Sequence, residues 1–83
     1  MPYIKKDRRH MFRFPIDVLS HALDGLGVTG NLNYVLYNLA KKHCTNYASY
    51  AAFIGELEAA KLEIYRKLVA PYEELKEKEN GSI

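Results

Sequence analysis

Residues 47–70 have the sequence YASYAAFIGELEAAKLEIYRKLVA, and this stretch decides the fold. At about 100° per residue it separates into distinct helical faces, which indicates a helix. We expect this helix to start near Tyr47, capped by Asn46, and to run at least to the end of the stretch. The sequence leaves open whether it continues through Pro71 to residue 79 or restarts there as a short helix.

A first helix is predicted upstream. Pro15 suits the first position of a helix, and an apolar i, i+3, i+4, i+7 pattern follows it. Gly25 and Gly27 are predicted to end this helix near residue 26. The basic residues 1–13 precede it as an arm or a short helix.

A second helix is predicted after Thr29, which is a suitable capping residue. Its apolar stripe consists of Leu32, Val35, Leu36 and Leu39. No stretch of the chain shows the alternation of apolar and polar residues that is typical of a β-strand. The predicted fold is therefore all-α: a small three-helix domain over residues 1–83, with a short C-terminal helix or kinked extension.

The chain is short for a self-sufficient core. Its 83 residues correspond to a core contribution of only about 3–5 kcal/mol. The single cysteine, Cys44, excludes a disulfide framework, and the three histidines are too scattered to suggest a metal site. We therefore predict assembly as a helical homo-oligomer, with neither a metal nor a cofactor.

Composition places the protein inside the cell. The formal net charge is +2 and 48% of the residues are hydrophobic, which is typical of a globular protein. No apolar run reaches the roughly 18 residues of a membrane span, and the start of the chain does not resemble a signal peptide. We expect a cytoplasmic protein with no membrane partner.

The long helix is predicted to have a core face and an opposite face of small residues. The core face, expected to pack on the first two helices, comprises Tyr50, Phe53, Ile54, Leu57, Ile64, Leu68 and Leu75. The opposite face, here called the small-residue face, comprises Ala48, Ala52, Gly55 and Ala59. It indicates either a close contact with another helix, between subunits, or a solvated face rich in alanine.

Tyrosines and charges interleave beside the small-residue face. They form either a solvated surface of ion pairs or a polar pocket that holds an anionic, ring-containing ligand. In the second interpretation, the candidate ligand-binding residues are Tyr65, Arg66, Tyr72, Glu73, Lys76 and Asn80. The candidates for a facing wall are Asn33 and Tyr34 on the second helix and Asn46 and Tyr47 at the start of the third.

The chain resembles a family of small proteins of tailed phages, prophages and gut bacteria. The resemblance rests on a Met-Pro-Tyr-Ile start, on the consecutive residues Asn33, Tyr34 and Val35 at the place of the family's Asn-x-Tyr-Val/Ile element, and on a C-terminal signature. That signature is matched by Lys61, Glu63, Tyr65, Arg66, Ala70, Pro71, Tyr72, Glu73, Lys76, Glu79, Asn80 and Gly81. Ser82 stands where the family often has Asp, and residues 5–28 diverge. The resemblance implies a phage-encoded accessory protein of the cytosol, of a size and source found among proteins that sequester immune nucleotides.

The sequence bears on three candidate functions. The first is sequestration of a nucleotide immune signal, such as a cyclic ADP-ribose or a cyclic oligonucleotide, without catalysis. The second is an adaptor that binds nucleic acid or a host protein through Lys5–Arg13, although a solvated terminus is the simpler interpretation and nucleic acid is not the expected partner. The third, an enzyme, is not expected. Glu56, Glu58 and Glu63 lack the E-x-x-E and E-x-x-D spacing of an all-α magnesium pyrophosphohydrolase.

Overall fold

The computed structural model of the chain describes residues 3–81, and helices make up 85% of them. The elements are, in order, a 3₁₀ turn at Lys6–Arg8, α1 at His10–Leu26, α2 at Asn31–His43, α3 at Tyr47–Ile64, a π-helical turn at Tyr65–Val69 and α4 at Ala70–Asn80. No strand occurs in this part of the chain. The predicted all-α class, three helices with a kinked extension, is confirmed.

The chain divides into two compact units, Met1–Cys44 and Thr45–Ile83. The first unit holds α1 and α2, and the second holds α3, the π-helical turn and α4. The prediction that residues 1–83 form one domain stays a prediction.

The start of α1 lies earlier than the sequence predicted. After the 3₁₀ turn, α1 begins at His10, so Pro15 lies inside the helix rather than at its first position. Pro15 has no N–H to donate to the carbonyl of Met11, and α1 therefore lacks one hydrogen bond in its second turn. The predicted basic arm of residues 1–13 is thus divided among a short turn, the start of α1 and two residues outside the described range.

Two glycines with positive φ form the turn between α1 and α2. Gly27 ends α1 with a φ of 88°, as predicted, and Gly30 precedes α2 with a φ of 81°. The predicted cap, Thr29, is wrong, because Gly30 occupies the capping position. The side-chain amide of Asn31 instead donates to the carbonyls of Leu26 and Gly27 at 3.1 and 2.9 Å. It therefore satisfies the last carbonyls of α1, which a helix end leaves unpaired.

The contact between α1 and α2 covers little surface. Leu19 and Leu23 of α1 and Val35 and Leu36 of α2 are only half-buried. Cys44, at the end of α2, is the one buried residue in the described part of the chain. The first half of α1 remains uncovered, and its exposed apolar side chains are Met11, Phe12, Phe14, Ile16 and Val18.

A capping box starts α3. The Asn46 Oδ1 atom accepts a hydrogen bond from the backbone N–H of Ser49 at 2.8 Å, and the Ser49 Oγ accepts from the backbone N–H of Asn46 at 3.1 Å. The two bonds satisfy donors that a helix start leaves unpaired. The predicted start of the long helix at Tyr47, with Asn46 as its cap, is confirmed.

The helical path continues from α3 into α4 through the π-helical turn. The N–H of Ala70 donates to the carbonyl of Tyr65, five residues back instead of four. Pro71 comes next, and in a regular α-helix its ring would collide with the carbonyl of Lys67. The wider turn relieves that collision, so the chain passes through Pro71 and the helix ends at Asn80.

The predicted core face of the long helix is exposed, which corrects the expectation of burial. Ile54 is 65% exposed and Leu68 is 67% exposed, and of the seven predicted residues only Phe53 is half-buried. The first half of α3 carries apolar side chains all round, and no charged residue of the helix precedes Glu56. A helical segment that is apolar all round is normally buried. Most of these side chains are nevertheless exposed.

Candidate functional site

Three of the predicted ligand-binding residues come together on α4. Tyr72, Glu73 and Lys76 line a shallow depression with Glu77 and Gly81. The Lys76 Nζ atom lies 5.7 Å from the centroid of the Tyr72 ring, within the range of about 6 Å for a cation–π interaction. The depression therefore combines a ring face, an ammonium group and carboxylates.

Carboxylates outnumber cations around this depression. Besides Glu73 and Glu77, the Oε2 atom of Glu79 lies 3.2 Å from the Lys76 Nζ. The side chains of Lys76 and Glu79 are both about half exposed, and such ion pairs contribute only about 0–1 kcal/mol. An incoming anion can therefore displace Glu79 from Lys76 at little cost. The remaining carboxylates are suited to accept hydrogen bonds from hydroxyl or amino groups.

Tyr65 lies apart from Tyr72. It lines a separate, mostly apolar depression, whose other lining residues are Lys61, Leu62, Ile64 and Val69. The π-helical turn adds one residue to the helical path and rotates α4 by about 100° relative to a straight helix. A straight helix through Pro71 would place Tyr65 and Tyr72 on one stripe, because seven residues make nearly two full turns. The π-helical turn separates them, so Tyr65 and Tyr72 lie on different faces of the helix.

Arg66 belongs to an ion-pair network at the π-helical turn. Its Nη2 atom lies 2.5 Å from Glu63 Oε2, and Lys67 Nζ lies 2.7 Å from Glu63 Oε1. The i, i+4 pair of Glu63 with Lys67 is of the kind expected for a solvated surface of ion pairs. Two cations share this one half-buried carboxylate, so the network carries a positive charge. Counting the extra residue of the turn, Arg66 and Tyr72 lie about 140° apart around the helix.

The remaining predicted ligand residues are dispersed. Asn80 is the last residue of α4 and adjoins Gly81 of the depression. Asn46 and Tyr47 stand at the other end of the same helix, on the order of 35 Å from Tyr72 at 1.5 Å per residue. Asn46 also serves as the cap of α3. One small ligand cannot contact both ends of this helix within a single chain.

Asn33 and Tyr34, the other predicted wall residues, lie in α2 and are both exposed. They belong to the first compact unit, and the α4 depression belongs to the second. Their role as a facing wall stays a prediction. Ser82, at the position where the resembling family often has Asp, lies outside the described residues.

Sequence reasoning missed two residues of the α4 depression, Glu77 and Gly81. Glu77 follows Glu73 by four residues and therefore lies on the same face of the helix, which the spacing could have shown. Gly81 ends α4 with a φ of 86°. Its position depends on where the helix stops, and helix ends are the least certain part of a sequence-based assignment.

Most of the small-residue face is exposed among the described residues. A Cβ atom added at Gly55 would meet no heavy atom within 4 Å. Ala48 and Ala52 are exposed, and Ala59 is half-buried. Nothing in the described chain therefore accounts for a helical glycine, which is less stable than alanine by about 0.5–1 kcal/mol.

Residues 3–81 contain neither a candidate membrane span nor a candidate metal site. No helix in this range is both long and apolar enough to cross a membrane. No cluster of three or more His, Cys, Asp or Glu side chains in this range could hold a metal ion.

Comparison with known proteins identifies a family. The family described as Domain of unknown function (DUF6899) matches residues 1–83. No curated protein and no solved structure matches the chain.

Proposed function

For this chain, which belongs to the DUF6899 family over residues 1–83, we propose a non-catalytic role in which copies assemble and sequester a nucleotide-derived immune signal. The ligand is a cyclic ADP-ribose-like molecule or a cyclic oligonucleotide. The proposed setting is the cytoplasm of a bacterium that carries a phage. The observation that carries the proposal is the α4 depression, where Lys76 lies 5.7 Å from the Tyr72 ring beside Glu73.

Each residue of the depression suits one part of such a ligand. The Tyr72 ring is 59% exposed and can stack on a base, an interaction of about 1–3 kcal/mol. Glu73 and Glu77 can accept from ribose hydroxyls or from an exocyclic amine. Lys76 can pair with one phosphate once Glu79 is displaced.

The shortage of cations around Lys76 supports a site shared between copies. Lys76 alone faces several carboxylates, so a second cation is needed for a doubly charged ligand. Arg66 can grip phosphate oxygens with two donors, but it lies about 140° around the helix from Tyr72. A ligand that contacts both residues must therefore take Arg66 from a second copy of the chain.

Assembly is supported independently by the uncovered apolar surface. The first half of α3 is apolar all round, and most of the predicted core residues on α3, the π-helical turn and α4 are exposed. An added Cβ at Gly55 would meet no heavy atom of the described residues within 4 Å. Burial of apolar surface stabilises by about 25 cal/mol per Å², so copies that cover α3 gain the core that one chain lacks.

We expect capture without turnover. Among the described residues, those that line the α4 depression include no Ser, Cys or His that a neighbouring base could activate as a nucleophile. Bound ligand should therefore leave the protein chemically unchanged.

Calorimetry with cyclic ADP-ribose isomers and cyclic dinucleotides tests the proposal, and a subunit-mixing experiment tests the shared site. Tyr72→Leu and Arg66→Ala should each abolish or strongly weaken binding. Co-assembly of the two variants should restore some full-affinity sites, because one subunit supplies Tyr72 and the other supplies Arg66. The control is Lys78→Gln, which removes a charge from α4 outside the depression. No heat with any of these nucleotides would defeat the proposal, and two inactive variants that do not complement each other would defeat the shared site.

One observation favours the alternative function, an adaptor that binds through its basic N-terminus. Arg9 and Arg13 line a depression together with Ile4, Phe12 and Ile16. Basic and apolar side chains together suit an acidic, amphipathic protein segment better than a nucleic acid. If deletion of residues 1–9 abolished the biological activity of the protein while nucleotide binding persisted, the adaptor function would be favoured over sequestration.

A further inference from the structure

The outer face of α2 carries two exposed tyrosines. Tyr34 is 70% exposed and Tyr37 is 61% exposed. At about 100° per residue, Tyr34, Tyr37 and Lys41 fall within an arc of about 60°, opposite the apolar stripe of α2. The outward face of a helix normally carries charged residues of both signs. Here it carries rings and a cation, and α2 contains no acidic residue.

Tyr37 and Lys41 form a pair of the same kind as the one on α4. The Lys41 Nζ lies 5.8 Å from the centroid of the Tyr37 ring, compared with 5.7 Å for Lys76 and Tyr72. Both pairs have i, i+4 spacing. The exposed ring of Tyr34 lies one turn before Tyr37 and extends the aromatic surface.

The charged residues of α2 itself are more favourable to an anion than those of α4. Lys76 has the Glu79 carboxylate at 3.2 Å and two further carboxylates in its depression. Lys41 has no carboxylate on its own helix and is followed by Lys42. An anion near Lys41 therefore meets net positive charge from this helix.

We propose that Tyr34, Tyr37 and Lys41 form a second binding surface on the protein, for a small anion that carries a flat ring, such as a nucleoside monophosphate. Tyr34 and Tyr37 present ring faces on which a base stacks, and Lys41 pairs with the phosphate. The surface lies wholly on α2 and is centred on Tyr37 and Lys41, neither of which belongs to the proposed nucleotide site. It shares only Tyr34 with the predicted facing wall of that site and does not depend on the α4 depression.

Nuclear magnetic resonance of the ¹⁵N-labelled full chain tests this surface directly, with adenosine 5′-monophosphate as the probe. The amide signals of α2 should shift on titration. Tyr37→Leu removes the ring but introduces a good helix former. It should weaken the affinity for the monophosphate by roughly tenfold. Lys41→Gln should weaken it several-fold and reduce its dependence on salt. Lys42→Gln removes the same charge about 100° away and should change the affinity less than twofold.

The outcomes separate this inference from the proposed function. Tyr72→Leu should leave the α2 shifts unchanged. If the monophosphate binds α2 but no cyclic nucleotide binds the α4 depression, only the proposed function has failed. Unshifted α2 signals would overturn the inference, as would equal losses in Lys41→Gln and Lys42→Gln. Binding of oligothymidylate without binding of the monophosphate would also overturn it, by identifying a nucleic-acid surface instead.

Discussion

Replacing Gly55 by alanine distinguishes a covered small-residue face from a solvated one by the sign of the stability change. Within the chain, a Cβ at this position meets no heavy atom within 4 Å. On a solvated face the substitution should therefore stabilise α3 by about 0.5–1 kcal/mol. For a chain of this size, a change of 1 kcal/mol raises the Tm by about 4–8 °C.

If copies of the chain assemble through α3, the change in stability should have the opposite sign. If a helix of a second copy lies against Gly55, the added methyl group overfills the contact, at a cost of about 1–3 kcal/mol. This cost equals or exceeds the gain in helix propensity. Gly55→Ala should then lower the Tm and shift the sedimentation coefficient toward smaller species.

The chain offers a matched control in Gly25→Ala. Gly25 is also a helical glycine with nothing within 4 Å of an added Cβ, but it lies in α1, away from the small-residue face. The Gly25→Ala substitution should stabilise the protein modestly, whether or not the copies assemble. The measurements are thermal unfolding by circular dichroism and sedimentation, at two protein concentrations about tenfold apart, because the Tm of an oligomer depends on concentration. If Gly55→Ala raised the Tm as Gly25→Ala does, with unchanged sedimentation, the reasoning would be refuted.

Four further changes test the assembly and the fold. Ala52→Leu should overfill the same face by about 1–3 kcal/mol and dissociate the oligomer, whereas a wild type that sediments as a folded monomer at tens of micromolar would contradict the assembly. Asn46→Ala should remove the cap of α3 and lower the free energy of unfolding by about 1 kcal/mol, measured by urea titration. Thr29→Ala, which removes no cap, should change it by less than about 0.5 kcal/mol. Deletion of residues 1–9 should leave the helical circular dichroism nearly intact, because α1 begins at His10, and a large loss of helix would show that these residues help to fold α1.

Local signals in the sequence were sufficient for most of the secondary structure. The cap at Asn46 and the stop at Gly27 depend on a few neighbouring residues and could be predicted. The start of α1 could not be predicted, because Pro15 is typical of a first helical turn, whereas this helix accommodates it one turn later. Residue type alone predicts a cap at Thr29, but the turn requires the positive φ that Gly30 provides.

The candidate site was predictable in its residue types but not in its arrangement. Tyr72, Glu73 and Lys76 share a face because they are separated by one helical turn or less, which sequence spacing shows. The separation of Tyr65 from Tyr72 depends on the π-helical turn before Pro71, and a uniform 100° per residue cannot anticipate an added residue. The exposure of the predicted core face depends on burial across the whole chain, which periodicity does not measure.

Native mass spectrometry of the protein purified from cells tests the central claim most directly, because it weighs the assembly and any retained ligand together. The account predicts an oligomer that carries a nucleotide mass, and release under denaturing conditions should yield that nucleotide chemically intact. The same spectrum of Tyr72→Leu should show the oligomer without the added mass. A ligand-free monomer that does not take up any added cyclic ADP-ribose or cyclic dinucleotide, or a hydrolysed nucleotide on release, would contradict the account.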